Sequence, residues 1–217
     1  MTAPYLPRAL RLASVVALGA AIAVTPLIAG KSGSSSIQIE KMGAFTAGGE
    51  VAGDANRSLH CDHGYVEYQI PAHARKVSLF LWHSSSTQVW QNRWDGGEGY
   101  QSIFLRRGYP VYLWDGPRVG RANWGCEEYA YVPGLGRDQG NFIAWRFGAK
   151  PGEWFPGLQF PTGDKAAYDQ AMSARYQEFD IASNAHLQAD AAAKAIDRIG
   201  PVVALTNSAG GWRAMLA

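Results

Sequence analysis

The sequence predicts an α/β domain, with a mostly parallel sheet led by an antiparallel meander. Three observations predict it. The largely apolar runs Lys76–Trp82 and Pro110–Trp114 flank a stretch with helical spacing, and strands covered on both faces read this way. Ahead of them, Ile37–Glu50 alternates loosely and His63–Pro71 alternates well, which is the period of half-buried antiparallel strands. Behind them, Pro201–Gly211 reads as an apolar strand and a tight turn, and Trp212–Ala217 is a run of good helix formers.

Length and composition narrow the field. The chain has 217 residues, enough for one domain with an N-terminal extra. Twenty basic residues against eighteen acidic ones leave a net charge of +2, with no basic block or acidic tail. That balance argues against nucleic acid and anionic lipid and for small neutral partners. Eight Trp, ten Tyr and eight Phe supply either a thick sheet core or a pocket for apolar or sugar-like ligands.

Taken in order, Met1–Gly30 carries Arg8 and Arg11 ahead of the uncharged run Leu12–Val24 and ends among small residues. This is a signal-peptide pattern, and the run is shorter than the roughly 20 residues that span a bilayer, so no stable membrane anchor is expected. Residues 31–36 form a polar linker, and the domain occupies 37–217. Export makes the cysteine count meaningful. Two cysteines, Cys61 and Cys126, in an oxidising compartment point to one disulfide. The Gly, Asp and Asn-rich stretch Gly48–Asn56 is expected to join the two meander strands. His60-Cys61-Asp62-His63 resembles a ligand cluster, but side chains alternate in an extended segment, so His60 and Asp62 would face away from Cys61 and His63. No second ligand group stands at a suitable spacing, and no metal site is assigned.

The strand Lys76–Trp82 stops at His83-Ser84-Ser85-Ser86, polar residues at the carboxyl end of a central strand, where α/β folds bind ligands. Asp95–Gly108 follows as a helix, with a basic last turn and a glycine stop. The second strand ends at Asp115-Gly116, where Asp115 reads as a turn cap. Residues 120–162 scatter Trp124, Phe142, Trp145, Phe147, Trp154, Phe155 and Phe160 without period, and read as an irregular lid or binding loop. Within them Gly134–Gly140 approximates a dinucleotide loop, but the last spacing is wrong and no strand precedes it. Asp164–Ala174 and Ala182–Ile199 are alanine-rich helices, the second able to form a stripe from Ile181, Leu187, Ala191, Ala195 and Ile199. Gly200-Pro201 then starts the final strand.

Thr206-Asn207-Ser208-Ala209-Gly210 approximates G-x-S-x-G, with Thr206 in the first glycine position. A serine at the apex of such a turn is thrown clear of both flanking elements. The pattern resembles the nucleophile elbow of the α/β-hydrolases. The phrases H-G-Y-V-E-Y-Q-I-P, F-L-R-R-G-Y-P-V-Y-L-W-D-G-P-R-V-G-R and T-N-S-A-G-G are similar, more narrowly, to a branch of secreted bacterial serine esterases. The resemblance runs from about Gly64 to Ala217, and the layout is that of the first half of such a fold. It implies that Ser208 is the nucleophile, that the backbone N–H of Ala209 is one oxyanion donor, and that Ser84 or Ser85 supplies the other.

Two departures qualify it. The family's loop after the strand-end histidine is usually rich in glycine, whereas here it is His-Ser-Ser-Ser. The family also orders its residues serine, acid, histidine, and only nine residues follow Ser208. The resemblance therefore implies a C-terminally truncated esterase lacking acid and base, with Val202–Leu205 as an exposed apolar edge. Among upstream histidines His83 sits nearest, and bracing its loop is the role expected of it. The implied chemistry is acyl transfer to a small-molecule ester, with no cofactor, outside the cytoplasm. The pattern sets no oligomeric state. A reading of another class is a secreted, non-catalytic binding module that uses the aromatic insert.

Overall fold

The alternating stretches pair with each other as a long antiparallel hairpin. The computed structural model describes residues 36–84, 86–129, 134–176 and 181–217. Strand β1 (Ile39–Gly53) pairs antiparallel with β2 (Ser58–Pro71) from Ile39 opposite Pro71 to Gly53 opposite Ser58. The expected loop Gly48–Asn56 is therefore mostly strand, and the turn is only Asp54–Arg57. The Asp54 carboxylate closes it, accepting from the backbone N–H groups of Asn56 (2.8 Å) and Arg57 (3.0 Å). Gly48 and Gly49, both at φ +74°, bend the strand without ending it. A Cβ on Gly48 would lie 2.6 Å from the Ala191 Cβ, and one on Gly49 would lie 2.5 Å from the Cys61 carbonyl oxygen, so glycine lets β1 pass two neighbours closely.

The two apolar runs become β3 (Ser78–Trp82) and β4 (Val111–Asp115), and the strand before the serine becomes β7 (Val202–Thr206). The sheet order is β1-β2-β4-β3-β7. β4, β3 and β7 are mutually parallel, while β2 pairs antiparallel with both β1 and β4. The sheet is thus mixed: the leading meander β1–β2 is antiparallel as expected, β4, β3 and β7 are parallel, and the antiparallel pairing of β2 with β4 joins the two parts. β2 makes the join by pairing on both edges over Tyr65–Gln69, with β1 on one side and the whole of β4 on the other.

β3 is buried on both faces, and its residues divide between two cores. Phe80 and Trp82 join Val66, Trp114, Ala191, Ala192 and Ala195 on one side; Leu79 and Leu81 join Trp90, Leu105, Val111 and Leu113 on the other. α5 (Ala182–Ile199) covers the first face, and α1 (Gln88–Gln91) and α2 (Tyr100–Arg106) cover the second. α2 is shorter than the predicted Asp95–Gly108, because Asp95 folds its own turn by accepting from the Gly97 N–H (3.0 Å). The buried face of α5 matches the predicted stripe in part: Ala191 and Ala195 are buried and Ile199 packs against the same core, while the rest of the face is set by other residues. Ile181 is exposed, and Asn184, Ala185, Gln188, Ala191, Ala192 and Ala195 turn inward. Gln188 is tolerated there because its amide donates to the Pro117 carbonyl (3.2 Å).

The aromatic insert is more regular than its sequence implies. It contains α3 (Arg137–Ala144) and a small hairpin of β5 (Gly148–Lys150) and β6 (Glu153–Trp154), followed by α4 (Lys165–Ser173) with Asp164 as its N-cap. The aromatic side chains show no period because they come from separate elements and meet one another. Phe142 lies 4.7 Å from Trp154, Phe147 lies 5.0 Å from Phe160, and Trp154 stacks on Phe160 (ring centroids).

Cys61 and Cys126 are bonded, across a separation of 65 residues. Strict alternation fails beside them. Asp62 sits at φ 57°, its N–H donates to the Trp124 carbonyl, and its side chain turns inward to a two-pronged pair with Arg118 (2.7 Å each). The carboxyl is held below its usual range by those hydrogen bonds from Arg118. Among the described residues, the one group with metal-ligand spacing is Glu50, Cys61 and Cys126, and both of its sulfurs belong to the disulfide. No described helix is long and apolar enough to cross a membrane, and the expected signal segment lies outside the described residues.

Joining chain segments so far apart restricts the unfolded ensemble. Replacing both cysteines by alanine is expected to lower the unfolding free energy by about 4 kcal/mol, as chemical denaturation of the variant beside the oxidised parent would show.

Candidate active site

The serine at the strand–helix junction stands in an unusual backbone turn held by contacts with the end of β3. β7 runs parallel to β3, Thr206 lying opposite Trp82. The Asn207 N–H then donates to the Trp82 carbonyl (3.2 Å), which fixes the start of the turn against the end of β3. Ser208 follows at φ 54°, ψ −132°, a conformation that non-glycine residues rarely adopt, and α6 (Ala209–Leu216) begins directly after it. The Ser208 side chain is exposed. Gly210 is buried beneath it, and a Cβ there would come within 2.7 Å of the Trp82 carbonyl oxygen. Only a residue without a side chain lets α6 approach β3 this closely.

Ser208 opens onto a cavity of about 410 Å³, at the small end of the range for ligand sites. His83 and Ser84 line it from the end of β3, Asn207 lines it beside Ser208, and Trp145, Phe147 and Phe160 line it from the insert. The carboxyl ends of β3 and β7, strands far apart in sequence, therefore meet at one opening. The N–H groups of Gly210 and Gly211 are engaged by the carbonyls of Asn207 and Ser208, and the Ala209 N–H leads the helix beside the serine. Ser84 lies in the cavity wall; Ser85 lies outside the described residues.

His83 is largely buried, with its ring edge-on to Trp90 at 5.7 Å. Burial pushes its pKa down to about 4, so the imidazole is neutral at pH 7. His60 and His63 open onto another depression, beside Arg121 and Trp124, while His73 lies in the turn after β2 and His186 on α5. Asp115, at the end of β4, is buried and faces Arg121, accepting from its Nε (2.7 Å) and backbone N–H (3.3 Å). It braces the following loop, an extended version of the turn cap expected of it. Of the predicted residues, the structure brings Ser208 and Ser84 together, with Ala209 adjacent. The insert was expected as a lid or binding loop; what the sequence did not reveal is which residues form the cavity wall, among them Arg146 in the insert and Arg175 after α4, since aperiodic residues carry no sign of where they point.

No protein-family model and no curated protein matches the chain by sequence. Among solved structures, one described as the atomic-resolution structure of a novel bacterial esterase is similar, with a TM-score of 0.70 and 20% identity. The match covers 84% of this chain and 64% of the other, so the chain spans less than two-thirds of that neighbour's length. At this identity the likeness establishes an esterase-like fold.

Two outcomes test the geometry. Gly210→Ala is expected to lower stability by about 1–3 kcal/mol by pushing α6 off the Trp82 carbonyl, measured as a shift in denaturation midpoint. The second concerns pH. His83 binds its proton more weakly folded (about 4) than unfolded (6.5), so the unfolded state protonates first as pH falls. The stability it contributes is whole above pH 6.5 and declines by up to about 3 kcal/mol towards pH 4. In His83→Gln that part of the decline should vanish when denaturation curves are compared across the window.

Proposed function

We propose that the chain carries the nucleophile of a serine-dependent carboxylic ester hydrolase, forming an acyl-enzyme on Ser208. The observation that carries this reading is the exposed serine at φ 54°, ψ −132° on a strand–helix turn, facing a walled cavity. The esterase-like fold supports it. In the reaction the Ser208 oxygen attacks the ester carbonyl carbon and its proton passes to a base. The oxyanion accepts from the Ala209 N–H and from an N–H of Ser84 or Ser85, each such donor being worth roughly 3–4 kcal/mol. Collapse expels the alcohol, and water then releases the acid and regenerates the serine. The base is a histidine held by a carboxylate, as the family order implies. His83, with its pKa near 4, is a poor acceptor for a serine proton and serves to brace the loop after β3.

The insert supplies the cavity's aromatic wall and acts as a lid or binding wall over the ester. Export fits the reading, because a disulfide persists in oxidising compartments. The cavity's aromatic lining also favours a second reading, a binding module without catalysis. A fluorophosphonate ester separates the two. Modification of Ser208, abolished in Ser208→Ala and located by peptide mass, is the expected result. Ligand-dependent quenching of tryptophan fluorescence with no labelled serine would instead identify the module.

A further inference from the structure

The wall of the Ser208 cavity is electrically one-sided. Its charged members are Arg146 and Arg175, and no carboxylate lines it among the described residues. The two guanidinium groups are held differently. The Arg175 side chain is only 6% exposed, lies over the Trp145 ring with 4.8 Å to the centroid, and pairs with Asp138 at 2.7 Å. Asp138 is half-exposed and stands outside the cavity wall. Arg146 is exposed and pairs with no carboxylate among the described residues. Its backbone, at φ 62°, closes α3 through an N–H donated to the Ile143 carbonyl, so the chain bends there between Trp145 and Phe147. Burial and the neighbouring Arg137 both lower the proton affinity of Arg175, as expected where positive charge is crowded and poorly solvated. The other walls, Val89, Trp94, Phe147 and Phe160, suit a short hydrocarbon segment. A cavity whose wall holds a hydroxyl, apolar side chains, one guanidinium without a carboxylate partner among the described residues (Arg146) and a second that is paired with Asp138 (Arg175) matches a molecule with an ester, a short chain and an anion.

We propose that the site takes small esters that also carry a carboxylate, of the kind formed by one ester group on a dicarboxylic acid, with Arg146 as the principal anion contact and Arg175 as the second. This rests on the reading of Ser208 as the ester-attacking group, and it specifies the substrate class of that site.

The test compares monomethyl glutarate with dimethyl glutarate, which differ in one charge and are close in size, by quenching of tryptophan fluorescence in the full chain at pH 7. The monoester is expected to bind at least five-fold tighter at low ionic strength, with the preference shrinking as salt rises. Arg146→Gln should reduce it to less than two-fold without moving the melting temperature, and Arg146→Lys should restore part of it. Equal binding, tighter binding of the diester, no binding of either, or a preference that Arg146→Gln leaves intact overturns the proposal. Fluorophosphonate labelling keeps the two readings apart. Ser208 labelled with no charge preference sinks only the substrate class, whereas a charge preference with no labelling sinks the esterase reading and leaves an anion-binding cavity.

Discussion

The carbonyl of Trp82 is the contact on which the site depends. It lies at the end of β3, a strand buried on both faces, accepts the Asn207 N–H, and faces Gly210 with no room for a methyl group. Those contacts pin the chain on both sides of Ser208, and the serine takes a conformation it would not choose alone. Strain of this kind persists only where the surroundings over-determine it. Here the surroundings are β3, locked between two apolar layers.

The same logic of close approach organises the face under α5. Alanines at 191, 192 and 195 bring the helix down onto the sheet, and Gly48 makes space for the first of them. Large aromatic groups from β3 and β4 fill what remains, with Trp82 edge-on to Trp114 at 6.1 Å. At the far end of β2 order comes instead from charge and covalency. Arg118 pairs with Asp62, Arg121 bridges Asp115 and Glu67, and the disulfide ties the loop to the strand. Loops rich in glycine and proline have little hydrophobic surface to bury, so directed contacts take its place.

Where the amino-acid pattern is periodic, the structure was legible. β3, β4 and α5 lie where their apolar runs and alanine content put them, and the serine turn follows its strand as the T-N-S-A-G-G phrase implies. Where conformation depends on partners distant in sequence, legibility failed. Gly48 and Gly49 look like turn residues, yet they sit inside a strand because Ala191 and Cys61 must be passed closely. Asp62 breaks the alternation because Arg118, far along the chain, draws it inward. In the insert, α3 and the β5–β6 hairpin went unseen because their aromatics pack on one another and not on one face of a regular element. Of the site itself, Ser208 and Ser84 were readable, and the wall that gives the cavity its charge was not.

β7 joins the sheet beside β3, a strand from the first half of the chain, so their pairing closes a long loop. Contacts so distant in sequence form late, since the loop they close is entropically costly. The bend at residue 208 depends on that pairing, because the Asn207 N–H is held by the Trp82 carbonyl at the end of β3. Its shape reports that β7 has docked on β3, and a reagent fitted to that bend would count the molecules in which it has.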